Sequence, residues 1–207
     1  MSESKKYWNK IYKDLQNKKP SYDLWLDKYE DILQKSSDEA IVDLGSGSGG
    51  DTLYLNERGY KVIACDYSEE ALSIINKHIP EAKTLNVDLT KALPFEDNSI
   101  KIIIADLSLH YFNEATTKDI LREIKRILKK DGYLIGRVNS LNDVNYGANQ
   151  GEEVEKHYYL TKDGYKRFFD ENDINFFFRN YKIEHCIESS IFKYGSEKIV
   201  YEILCSR

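Results

Sequence analysis

One segment constrains this chain more than any other: Val42-Asp43-Leu44-Gly45-Ser46-Gly47-Ser48-Gly49-Gly50. An apolar start (Ile41, Val42) runs through an acidic residue into glycines and passes at once into a helix-like stretch over residues 51–58. The order reads strand, tight turn, helix N-terminus. Glycine permits positive φ and lets a ligand approach the main chain closely. The free N–H groups and the dipole of the following helix favour a bound anionic group. The segment therefore predicts an α/β fold with a nucleotide-type cofactor at its turn.

The spacing admits two cofactors. Gly45, Gly47 and Gly50 fit the G-x-G-x-x-G of dinucleotide binders. Gly45, Gly47 and Gly49 fit the G-x-G-x-G of S-adenosylmethionine (SAM) enzymes. Asp43 favours the second. A carboxylate two residues before the first glycine repels a pyrophosphate but suits the ammonium and sulfonium of SAM.

A length of 207 residues suits one α/β domain with a full core. The balance of 30 Lys+Arg against 35 Asp+Glu argues against broad phosphate-backbone binding. Cys65, Cys186 and Cys205 lack C-x-x-C spacing and read as reduced thiols of a cytoplasmic protein. His78, His110, His157 and His185 form no metal-binding motif, so no metal is expected. No signal peptide, and no apolar run of the roughly 20 residues needed to span a bilayer, is present. No membrane or nucleic-acid partner is expected, and the chain is read as a monomer or homodimer.

From residue 41 onward strand-like and helix-like runs alternate, the pattern of a parallel sheet covered by helices. Strands are predicted over residues 40–44, 61–65, 84–87, 100–105 and 133–138, with two closing strands over 181–187 and 198–204. Ser68 is the expected cap of a helix stopped by Pro80. A helix from about Asn113 carries the stripe Ile120, Leu121, Ile124, Ile127 and Leu128, with Lys129 and Lys130 at its end and Gly132 breaking it. Residues 139–168 have weak periodicity and read as an acceptor-site insertion. Asp170 begins another helix with Asp173 three residues on. Residues 5–15 and 22–33 read as two helices. The first 36 residues are expected to cover the cofactor cleft.

Four predicted strand ends carry acidic residues: Asp43, Asp66, Asp88 and Asp106. Ligands of open parallel sheets bind outside the carboxyl ends of the strands, so all four converge on one cleft. Here the sequence resembles the class I SAM-dependent methyltransferases, most strongly over residues 41–138. The carrying residues are the glycine segment, Ala64-Cys65-Asp66-Tyr67-Ser68, Asn86-Val87-Asp88-Leu89, Leu93-Pro94-Phe95, Ile103 to His110, and Leu121 to Leu128 with Asp131-Gly132. Within the class it is similar to small bacterial type 11/type 12 or tellurite-resistance-like enzymes.

The resemblance implies a Rossmann-like three-layer sandwich with a seven-stranded, mostly parallel sheet and an antiparallel strand near the C-terminus. It implies SAM as cofactor, S-adenosylhomocysteine as product and a small-molecule methyl acceptor. Asp66 accepts bonds from the ribose hydroxyls, Tyr67 packs on adenine with Ser68 beside it, and Asp88 with Leu89 holds the adenine amino group. Gly45, Ser46 and Gly47 line the methionine portion, and Asp106 and Leu107 border the methyl-donor end. Tyr7, Trp8 and Tyr12 close over the cofactor. His110, at the mouth of the cleft, is the expected base for an acceptor that must lose a proton. Arg137, Asn139, Tyr146, His157, Tyr158 and Arg167 are expected to shape the acceptor pocket, with Asn142, Asp143 and Tyr159 nearby.

Three other readings compete. Tyr158 to Lys162 and Tyr194 to Lys198 match the Y-x-x-x-K of NAD(P)-dependent short-chain reductases. A nucleic-acid methyltransferase lacks support, since Asp106-Leu107-Ser108-Leu109 is not Asn/Asp-Pro-Pro-aromatic. A non-catalytic SAM-binding partner subunit is the third.

Overall fold

The apolar runs read as strands form the middle of one sheet. The computed structural model describes residues 3–193 and 195–207; Tyr194, and with it one Y-x-x-x-K match, lies outside the described residues. The N-terminal part holds α1 (Glu3–Leu15), a 3-10 turn (Trp25–Tyr29), α2 (Glu30–Leu33) and a second 3-10 turn (Gln34–Ser36). The alternating part follows: β1 (Ile41–Leu44), α3 (Gly50–Glu57), β2 (Val62–Asp66), α4 (Glu69–His78), β3 (Lys83–Asn86), β4 (Ile100–Asp106), α5 (Glu114–Ile127) and β5 (Leu128–Asn139). Three short strands, β6 (Glu152–Glu155), β7 (Tyr158–Thr161) and β8 (Gly164–Arg167), precede α6 (Glu171–Phe177), β9 (Lys182–Lys193) and β10 (Ser196–Ser206).

The main sheet has seven strands in the order β3-β2-β1-β4-β5-β10-β9. The first five run parallel, and β10 is antiparallel to both β5 and β9. This is the expected mostly parallel sheet with an antiparallel strand near the C-terminus. The chain winds outward from β1 to β3, then returns to place β4 on the other side of β1. The carboxyl ends of β1 and β4 therefore flank the switch point, where such sheets bind ligands.

Side-chain alternation puts one half of the core on each face. Val42, Ile103 and Ala105 pack with Ile120 and Ile124 of α5. Ile41, Ile102 and Ile104 pack on the other face with Leu53, Leu72 and Ile75, and with Trp25 and Leu33 from the N-terminal segment. Both faces are covered, which gives three layers and explains the unbroken apolar strands.

Three elements differ from expectation. The helix before β5 ends at Ile127, and strand pairing begins at Leu128. Lys129 to Gly132 form a bulge, with Leu128 opposite Ile100 and Tyr133 opposite Ile102. Residues 22–33 form no continuous helix; 3-10 turns flank a four-residue α2. The insertion is not wholly irregular. β6, β7 and β8 make a separate antiparallel sheet, turned by His157 and Gly164, both at positive φ. Strands of four residues are too short to show periodicity.

Candidate active site

Gly45 (φ 74°), Gly47 (φ 53°) and Gly49 (φ 93°) make the turn after β1. A Cβ on Gly45 would lie 2.3 Å from Ser108 Cβ, and one on Gly47 would lie 2.8 Å from Tyr12 Oη. The turn is thus packed between the residues following β4 and the α1 helix. The Gly47 N–H donates to Asp66 Oδ2 at 2.9 Å, and the Ser68 N–H donates to Asp66 Oδ1 at 2.8 Å. The end of β2 thereby holds the glycine turn and the N-terminus of α4 together. Ser68 caps α4 through the Ala71 N–H at 3.2 Å, as its residue type predicts.

Four carboxylates surround this turn. Asp43 and Asp66 are buried, and Asp51 and Asp106 are partly buried. Thr52 donates its hydroxyl to Asp43 at 2.7 Å, and Trp25 Nε1 donates to Asp51 at 2.8 Å. Burial, with the neighbouring Asp106 and Asp66 charges, pushes the Asp43 carboxyl up to about 7, although the Thr52 bond pulls the other way. Burial together with Asp106 and Asp43 likewise holds Asp51 well above the usual carboxylate range. Asp106 behaves oppositely. Burial works to raise it, but Lys193 and Arg137 overcome this and keep it well below the ordinary range.

Asp106 is gripped by Arg137 through Nε at 2.6 Å and Nη2 at 2.8 Å, and by Lys193 Nζ at 2.8 Å. Arg137 also donates to Asp23 at 2.8 Å and lies 4.4 Å over the Trp25 ring. Its guanidinium is fully buried, so the structure places Arg137 as a clamp on Asp106 and not at an acceptor surface. Leu107, next in sequence, has φ 50°, an unusual conformation for a bulky residue.

The remaining expected cofactor residues line the same edge. Asp88 is exposed and accepts from the Thr90 N–H and hydroxyl through Oδ1. Leu89 is half-buried against the core. Tyr67 is half-buried, its carbonyl accepting from Asn86 Nδ2 at 3.1 Å. Above the turn, Asn9 on α1 accepts from the Ser68 hydroxyl at 2.6 Å. Trp8 stacks on Tyr12 and meets Tyr7 and Tyr111 edge-on. Helix α1 thus bridges from α4 to the residues after β4.

His110 sits in a 3-10 turn (Leu109–Tyr111) after β4 and is 3% exposed. Burial depresses its pKa well below the ordinary value, Lys198 and Lys166 add to the effect, and Asp106 opposes it. The imidazole is therefore neutral at neutral pH. Asn139, at the end of β5, is also buried. Tyr146 lies over Lys198, whose Nζ is 4.4 Å from the ring centroid and 2.6 Å from Asp143.

The other expected acceptor residues are drawn into structural work. Arg167 ties the insertion down, donating to Phe112 O, Lys156 O and Glu155. Tyr158 donates to Tyr111 O at 3.3 Å and stands on the four-residue strand β7, not on a helix. His157 Nδ1 lies 2.6 Å from Asp173 Oδ2, at the capping box of α6. His157, Asp170 and Asp173 bring their donor atoms within 4.8 Å of one another, a grouping absent from the sequence spacing, but their bonds serve the helix N-terminus. Asp23, Asp51, Trp25 and Lys193 were not expected at the site. Asp51 alone had a signal, as the acidic residue in the first turn after the glycines.

Two groups at the turn retain unused bonding capacity. Ser46 Oγ and Ser108 Oγ are buried without hydrogen-bond partners among the described residues. Each Asp66 oxygen also accepts a backbone N–H bond. A polar, cation-bearing nucleoside fits this set, whereas a pyrophosphate meets the carboxylates.

Fold and site together define a doubly wound α/β protein with a glycine turn at the β1/β4 switch point, where such sheets bind ligands. Residues 42–136 match a family model described as "Methyltransferase domain". An uncharacterized methyltransferase of Mycobacterium tuberculosis is 29% identical over 104 residues, covering 50% of this chain and 41% of the relative. A phosphoethanolamine N-methyltransferase of Triticum aestivum is 26% identical over 179 residues, covering 81% of this chain and 35% of the relative. The fold is shared with a SAM-dependent methyltransferase from Methanosarcina mazei, with TM-score 0.74, 19% identity, and coverage of 85% of this chain and 96% of that one. Residues 42–136 thus carry a methyltransferase domain, in a chain with the fold of SAM-dependent methyltransferases, whose cofactor is SAM. The chain spans less than half the length of these two curated relatives. No helix among the described residues is long and apolar enough to cross a membrane.

Proposed function

We propose that this chain transfers a methyl group from SAM to a small-molecule acceptor. The observation that carries the reading is the ring of carboxylates, Asp43, Asp51, Asp66 and Asp106, around the glycine turn. Such a ring favours a ligand bearing a sulfonium and an ammonium. It disfavours the pyrophosphate of a nicotinamide dinucleotide. Gly45, Ser46, Gly47 and Asp43 hold the methionine end; Asp66, Tyr67 and Ser68 hold the ribose and one adenine face; Asp88 and Leu89 hold the adenine edge. Leu107 borders the methyl-donor end, where Arg137 and Lys193 fix Asp106.

Bound SAM supplies a methyl group on a sulfonium, already activated for displacement. The protein adds alignment and exclusion of water. Within residues 1–36, the described residues from Glu3 onward form the cover, with Tyr7, Trp8 and Tyr12 above the cofactor. Residues 139–168 wall the acceptor side, and the chain acts as one catalytic unit. His110, neutral and buried, accepts the proton an acceptor loses. The wheat relative's name gives that protein a small polar acceptor, which supports a small molecule here.

Calorimetry on the purified protein tests the reading. S-adenosylhomocysteine is expected to bind, and Asp66→Ala to weaken it at least tenfold, since bonds to a charged group contribute about 1.5–3 kcal/mol. Binding of NADH with no response to S-adenosylhomocysteine would overturn it.

A further inference from the structure

Two buried polar atoms on the acceptor side lack a bonding partner among the described residues: Asn139 Oδ1 and His110 Nδ1. Asn139 is 1% exposed and His110 is 3% exposed. Buried side-chain acceptors without donors are rare, because each forfeits its bonds to water. These two belong to neighbouring elements at the carboxyl edge of the sheet, where β5 touches the 3-10 turn after β4. Val200 of β10 pairs with Asn139. Lys198, two residues earlier on the same face, is among the charges acting on His110. Asp106, Lys166 and Lys193 are the others.

We propose that Asn139 and His110 form the polar end of the acceptor chamber and select an acceptor whose nucleophile carries an N–H or O–H. An amide oxygen can only accept a hydrogen bond, so its missing partner is a donor. Neutral imidazole accepts through one nitrogen. An amine or a hydroxyl supplies such donors, whereas a thiol is a weak donor. The reaction is thus N- or O-methylation, not methylation of sulfur or a metalloid. In the transfer the nucleophile's lone pair bonds to the methyl carbon, the carbon–sulfur bond breaks with its electron pair kept on sulfur, and the nucleophile's proton goes to His110. Asn139 orients the nucleophile and is a specificity-determining residue. This inference rests on the methyltransferase reading above.

The test compares wild type with Asn139→Leu and His110→Leu, each saturated with S-adenosylhomocysteine. Removing an unpartnered buried polar atom should raise Tm by about 2–6 °C with S-adenosylhomocysteine affinity unchanged. A lower Tm in both variants would mean that the atoms are bonded within the folded protein, and would overturn the proposal. Incubation with 13C-methyl SAM and a panel of amines, alcohols, thiols, arsenite and tellurite supplies the second readout. The 13C shift of the product methyl should report nitrogen or oxygen, and its yield should fall at least a hundredfold in Asn139→Leu. A methyl on sulfur or a metalloid overturns the assignment. Failure of wild type to bind S-adenosylhomocysteine overturns the methyltransferase reading instead.

Discussion

Lys193 Nζ lies 2.8 Å from Asp106 Oδ2, so the tip of the β9–β10 hairpin closes on the end of β4. Arg137 already engages both oxygens of that carboxylate from the adjacent strand. The fully buried guanidinium holds Asp106, and the partly exposed lysine adds to it.

This division predicts unequal losses. Arg137→Met leaves Asp106 with Lys193 as its remaining charged partner among the described residues, and should cost about 3–5 kcal/mol in urea unfolding. Lys193→Met leaves the bidentate pair intact and should cost about 1 kcal/mol or less. Equal losses would refute the assignment of Arg137 as the main clamp.

Two glycines separate backbone strain from steric contact. Gly59 has φ 83° with nothing within 4 Å of an added Cβ, so Gly59→Ala should cost about 1 kcal/mol. Gly45 has φ 74° and a Cβ there would meet Ser108 at 2.3 Å. Gly45→Ala should lower Tm further and abolish S-adenosylhomocysteine binding. Adding Ser108→Gly should recover part of the stability but not the cost of φ. Additive effects of the two substitutions would exclude the contact.

The raised pKa of Asp43 sets a pH dependence. In the unfolded chain this carboxyl titrates near its ordinary value of 3.8, and in the folded protein near 7. Between those limits the folded state holds the extra proton, so stability falls as pH rises through the window and levels off above it. One such group contributes a slope of at most about 1.4 kcal/mol per pH unit. Asp43→Asn should flatten the slope between pH 4 and 7 in urea titrations, leaving the part due to Asp51. An unchanged slope would remove Asp43 as its source.

Helix α1 reaches from Asn9 at Ser68 to Trp8 at Tyr111 and lies over the glycine turn through Tyr12. Deleting residues 1–20 should speed S-adenosylhomocysteine dissociation and weaken binding by about tenfold. Stopped-flow displacement measures the rate. Unchanged kinetics would show that α1 is not a cover for the cofactor.

His110→Ala should lower turnover by about 100-fold or more while changing S-adenosylhomocysteine affinity less than threefold. Steady-state kinetics on whichever acceptor the 13C-methyl panel identifies, together with calorimetry, measure both. Loss of affinity alone would assign His110 to cofactor binding.

The sequence by itself determined the alternation of strands and helices, the glycine turn, and the Asp66 and Ser68 positions. It also determined the helix starts at Asn113 and Asp170, where both caps are made. Each of these is a short-range pattern: periodicity, capping and turn chemistry operate within about four residues. The tertiary structure alone decided that Arg137 is a buried clamp, that Lys193 meets Asp106 from 87 residues away, and that Lys198 meets Asp143 from 55 residues away. It also decided that Asn139 Oδ1 and His110 Nδ1 are buried without partners among the described residues. These relationships depend on the register of β10 against β5 and on the reach of the β9–β10 hairpin beyond the sheet. Register is a property of strand pairs. A lysine in a run of charged and polar residues carries no mark of the carboxylate it will meet until that pairing is fixed.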